Sequence, residues 1–106
     1  MPYRGAGRPE AAALGERAVD LVAAELGLDP ADVRRTNFPS PDEFPFTTAT
    51  GAVYDSGDYA LAMDTALEMI GYEGWRVKQR TRREDATAPL LGIGIGCYVE
   101  TSGRGG

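Results

Sequence analysis

Hydrophobic and polar positions follow two rhythms along this chain. From Pro9 to Leu26 the rhythm is helical. Leu14, Ala18, Leu21, Val22 and Ala24–Leu26 make one apolar side, and Glu16, Arg17, Asp20 and Glu25 lie mostly opposite. Gly27 supplies a stop. Asp29-Pro30-Ala31-Asp32 then starts a second helix, about 30–37, with Asp29 as cap, Pro30 first and Asp32 at the positive end of the dipole. Pro39, Pro41 and Pro45 exclude a regular helix next. In that stretch Phe38, Phe44 and Phe46 are a candidate buried anchor, and Ala52-Val53-Tyr54 a short extended piece. A third helix is expected over about 57–70, capped by Ser56 with Asp58 in its first turn. Its buried face is Met63, Ala66, Leu67 and Ile70, and Gly71 closes it. Residues 73–85 predict a fourth helix, weakened by Gly74 and made basic by Arg76, Lys78, Arg80, Arg82 and Arg83.

Over 90–100 the period changes to two. Leu91, Ile93, Ile95, Cys97 and Val99 alternate with Gly92, Gly94, Gly96, Tyr98 and Glu100, which predicts one strong strand with a bare face at three successive positions. The fold class expected is therefore α+β, with four helices and one strand. A lone strand cannot satisfy its own ladder. The chain thus reads as a piece of a larger protein or as a chain completed by another subunit. Residues 101–106 lose all patterning.

Composition narrows the chemistry. With 106 residues there is room for one small domain. A net charge of −5 argues against a general nucleic-acid binder, so the basic stretch 76–83 reads as a solvated helix rather than an RNA site. No apolar run reaches the ~20 residues of a membrane span, and no secretory signal is visible. Cys97 is the single cysteine, which excludes an internal disulfide and suits a reducing, cytoplasmic setting. The absence of histidine removes Ser-His-Asp and Cys-His catalysis. Any difficult chemistry must come from a cofactor or from another segment.

One stretch invites such a cofactor. Arg4-Gly5-Ala6-Gly7-Arg8-Pro9 places three residues without bulk between two arginines, immediately before a helix. Bare backbone there can approach an anion at the helix N-terminus. The same residues also read as a plain Gly-rich entry to a helix. Thr47-Thr48-Ala49-Thr50-Gly51 lacks the lysine and spacing of a P-loop, and Asp55 with Asp58 lacks the remaining oxygens of a calcium loop. Arg34 and Arg35 read as surface charges pairing with nearby carboxylates. Cys97, on the apolar face, reads as a structural thiol.

Taken in order, Tyr3-Arg4-Gly5-Ala6-Gly7-Arg8-Pro9-Glu10, Glu16-Arg17, Arg34-Arg35-Thr36-Asn37-Phe38, Phe44-Pro45-Phe46-Thr47-Thr48, Tyr54-Asp55-Ser56-Gly57-Asp58-Tyr59 and Leu91-Gly92-Ile93-Gly94 resemble the large, molybdopterin-binding subunit of the molybdenum hydroxylases. That family includes xanthine dehydrogenase, aldehyde oxidoreductase and aerobic carbon monoxide dehydrogenase. The blocks cover almost the whole chain. The resemblance implies that residues 1–106 are a single incomplete piece of a molybdenum-cofactor-binding domain, inactive alone. It implies molybdenum on a molybdopterin in the cytosine dinucleotide form. It also implies partner subunits that carry [2Fe–2S] clusters and FAD, and oxidation of an aldehyde, heterocycle or CO-type substrate with water as oxygen source. By the same resemblance Arg4, Gly5 and Gly7 are cofactor-binding residues, and Ala6 belongs to the substrate pocket, where xanthine-type enzymes place a phenylalanine. Gly5 stands where the carbon monoxide branch has its copper-binding cysteine, which argues against a Mo–Cu centre. The family's glutamate base lies beyond this window, and Glu100 does not match it, so no catalytic or metal-ligating residue is expected here. A different class of reading is a small non-catalytic interaction module completed by a partner chain.

Overall fold

The computed structural model describes residues 4–100, which fall into two compact units: 4–34 with 95–100, and 35–94. Tyr3, the first residue of the opening motif block, and the unpatterned 101–106 lie outside the described residues.

In the first unit α1 runs from Arg8 to Leu26 and ends on Gly27 in the left-handed conformation, as the sequence predicts. Its inward face is not the expected one. Ala12, Glu16, Val19, Asp20 and Ala23 turn inward, at helical spacing, while Leu14 is 75% exposed and Leu26 64%. The reason is electrostatic. α2, Pro30–Asn37, brings Arg34 inward at 2% exposure, and a buried guanidinium demands carboxylates, which α1 supplies from Glu16 and Asp20. Asp29 Oδ1 accepts from Ala31 N at 2.8 Å, so the expected cap forms. Ala23, Ala31 and Val33 complete this small core.

In the second unit Ser40 and Glu43 form a capping box around the 3-10 turn Pro41–Glu43. Two short strands follow, β1 (Phe46–Thr47) and β2 (Val53–Tyr54), paired antiparallel with Phe46 opposite Tyr54 and Thr47 opposite Val53. α3 spans Tyr59–Ile70, and its cap is Asp58, whose Oδ1 accepts from Leu61 N at 2.9 Å. The expected Ser56 sits too early; its own N–H turns back to Asp55 Oδ1. Of the expected apolar face only Met63 is buried and Leu67 half-buried, while Ile70 is exposed. Gly71, left-handed, ends α3 and opens α4, Tyr72–Glu84. Tyr59 is the hub of the aromatic anchor: Phe44, Tyr54 and Phe38 meet its ring edge-on at 5.3, 5.9 and 6.1 Å between centroids.

The strand expected over 90–100 does not form a ladder among the described residues. Its rhythm survives: Leu91, Ile93, Ile95 and Cys97 are half-buried and the glycines between them exposed. What fails is pairing: among the described residues the ladder found joins 46–47 to 53–54, and no strand lies beside 90–100. Side chains take the place of a neighbouring strand. In the second unit Gln79 Nε2 donates to Leu91 O at 2.9 Å. In the first, Arg34 Nη2 donates to Ile95 O at 3.1 Å, and Cys97 N donates to Glu16 Oε2 at 2.8 Å. The fold class remains α+β, with its sheet at 46–54 rather than at 90–100. No helix among the described residues is long and apolar enough to cross a membrane.

Candidate functional site

The turn before α1 is built from three successive residues with positive φ: Gly5 at 88°, Ala6 at 45° and Gly7 at 90°. Arg8 N donates to Gly5 O at 2.9 Å and Ala11 N to Gly7 O at 3.0 Å, which closes the turn onto the first helical turn. Gly7 caps α1 without a side chain, and Pro9 lies in the first turn. The two glycines have different reasons. A Cβ on Gly5 would stand 2.9 Å from Pro9 Cδ, so Gly5 is required by the turn itself. A Cβ on Gly7 would meet nothing within 4 Å; that side of the backbone is open. Ala6, a non-glycine residue in left-handed geometry, carries a cost of roughly 1–2 kcal/mol. Arg4 and Ala6 are exposed, and Gly5 is half-buried. Arg4, Gly5, Ala6 and Gly7 thus form one short turn, with an exposed cation at one end and a helix N-terminus at the other.

Further along α1 stands a charged cluster that the sequence did not place inside. Arg34 spends its five N–H donors on Glu16 Oε2 (2.9 Å), Glu16 O (3.2 Å), Pro30 O (3.0 Å), Asp20 Oδ1 (3.0 Å) and Ile95 O (3.1 Å). Burial pulls its pKa down, but the bonds to Glu16 and Asp20 outweigh this and hold it above the ordinary value. The spacing of Glu16 and Asp20, one helical turn apart, was the available signal. Cys97 lies half-buried beside the cluster. Burial, and then the nearby Glu16 carboxylate, push its thiol pKa up, consistent with a structural thiol. Arg35, by contrast, pairs with Asp64 at 2.5 Å on an exposed surface of the second unit. At the head of α1 the Arg8 guanidinium pairs with Glu100, a second contact that no local pattern announces.

Residues 1–38 match the Molybdopterin cofactor-binding domain family. The carbon monoxide dehydrogenase large chain of Hydrogenophaga pseudoflava is 43% identical over 97 residues, covering 91% of this chain and 12% of that one. The 6-hydroxypseudooxynicotine dehydrogenase complex subunit gamma of Paenarthrobacter nicotinovorans is 32% identical, covering 97% of this chain and 13% of that one. Among solved structures, the reconstituted CO dehydrogenase from Oligotropha carboxidovorans superposes with a TM-score of 0.68 at 41% identity, over 71% of this chain and 9% of that one. The chain spans 12–13% of the length of these two curated relatives. The ordered motif blocks, the cofactor-domain match and the structural likeness agree: these 106 residues belong to the molybdenum hydroxylase large-subunit family.

Proposed function

We propose that the chain is one incomplete piece of the molybdenum-cofactor-binding domain in the catalytic subunit of a molybdenum hydroxylase, and that the turn 4–7 lies against the molybdopterin. The observation that carries this reading is the turn's geometry. Three positive-φ residues leave the backbone bare on the open side of Gly7, in front of a helix N-terminus and beside an exposed arginine. An anionic group such as the phosphate of molybdopterin suits such a surface, so the residues present fit the cofactor that the family carries.

Arg4 supplies positive charge to the cofactor's anionic edge. Gly7 lets the main chain approach it, and Gly5 preserves the turn that makes this possible. Ala6, small and exposed, leaves space where a bulkier side chain would narrow a substrate pocket. When bound, the molybdenum centre supplies the oxidation of substrate with water as oxygen source, and electrons leave to iron–sulfur and flavin groups on partner subunits. The cytosine dinucleotide form and a cytoplasmic setting complete the proposal.

The turn also bears on substrate class. A cysteine in place of Gly5 would need φ near +88° and a Cβ against the Pro9 ring, which supports a centre without copper. An aldehyde or heterocycle suits this turn better than carbon monoxide. The test is Arg4→Ala in the full-length assembly, read as bound molybdenum and turnover of aldehydes and N-heterocycles. A fall in either is expected; normal values for both would remove Arg4 from the site.

A further inference from the structure

Within the first unit, residues 95–100 lie along α1. Cys97 is tied to Glu16, and Glu100 to Arg8. Glu16 and Arg8 are eight residues apart on the helix, about 12 Å along its axis. Cys97 and Glu100 are three apart, about 10 Å in extended chain. The two spans agree, so the segment runs back along α1 and delivers the Glu100 carboxylate to the helix head. Arg8 is joined there to the turn through its own N–H, which donates to Gly5 O. Arg34, through Ile95 O, fixes the start of the same segment.

From this we infer that Glu100 is a positioning residue for the turn 4–7, acting through Arg8. The inference rests on the cofactor reading of that turn and deepens it. The pair is half-exposed, at 45% and 49%, so it contributes little to global stability. Its effect is on geometry. It ties the Arg8 guanidinium to Glu100 and so leaves Arg4 as the cation that addresses the cofactor. Removing the Glu100 charge frees Arg8 to compete with Arg4 for the same anionic group and loosens the turn it closes.

The experiment uses the full-length assembly with Glu100→Gln, Arg8→Gln and the double variant. Two readouts are followed: hydrogen exchange at the Arg8 and Ala11 amides, which donate to Gly5 O and Gly7 O, and the Mo(V) EPR signal after dithionite reduction. Each single variant is expected to speed exchange at those amides about tenfold and to change the Mo(V) line shape, with the melting temperature kept. The double variant should add nothing to either single, and Arg8→Lys should restore part of the protection. Unchanged exchange in Glu100→Gln, or additive effects in the double variant, would overturn the inference. If Arg8→Gln does not accumulate, Glu100→Gln alone decides by the same exchange readout. A wild-type assembly without a Mo(V) signal would instead sink the cofactor reading, while the exchange measurement would still decide the role of Glu100.

Discussion

Arg34 Nε stands 2.9 Å from Glu16 Oε2, and the guanidinium is 2% exposed. That bond joins α2 to α1 across 18 residues of sequence and turns a charged side of α1 inward. Truncating the arginine strands the Glu16 and Asp20 carboxylates and the carbonyls of Pro30 and Ile95. Arg34→Ala should therefore destabilise by about 3–5 kcal/mol, read as a fall in denaturant midpoint. Glu16→Gln, which keeps an acceptor but loses the charge, should cost less. A loss under about 1 kcal/mol for Arg34→Ala would contradict the structural role given to it.

The cap of α3 offers a smaller test. Asp58→Ala removes the acceptor for Leu61 N and should cost about 1 kcal/mol. Ser56→Ala should be near neutral, since Ser56 caps nothing. The reverse order would restore the cap that the sequence suggested.

Cys97 gives a pH dependence with a definite sign. Burial raises its folded pKa above the unfolded value. Its contribution to stability is therefore complete below the ordinary thiol pKa and is lost as pH rises through the higher folded value. Cys97→Ala should flatten the alkaline limb of a stability-versus-pH curve. In the native protein, iodoacetamide should alkylate Cys97 more slowly than a free thiol at pH 8.5; equal rates would show that the thiol is not shielded.

The two glycines of the turn should respond differently. Gly5→Ala drives a Cβ to 2.9 Å from the Pro9 ring, so the turn itself must shift. Gly7→Ala meets open space and bears only backbone strain, roughly 1–2 kcal/mol. If the open side faces the cofactor, Gly7→Ala should lower molybdenum content in the full-length assembly by more than that strain alone would. Content equal to wild type would place the cofactor elsewhere.

These outcomes track what was legible in the chain. Stops and starts were local and could be read: Gly27, Asp29 with Pro30, and Gly71 each act through neighbours within a turn. The inward face of α1 was not legible, because its partner Arg34 lies beyond the helix and reverses the apolar rule. The two-residue rhythm of 91–97 was legible, but a rhythm specifies an extended chain and not a ladder; pairing depends on a strand that the described residues do not provide. The turn 4–7 was legible as bare backbone, whereas its three positive φ angles and the Arg8–Glu100 pair emerge only in three dimensions.

The most direct measurement is the molybdenum and pterin content of the purified full-length assembly, with copper determined alongside. The expected result is molybdenum and pterin in equal amounts, close to one each per large subunit, and no stoichiometric copper. An active preparation without molybdenum or pterin would contradict it.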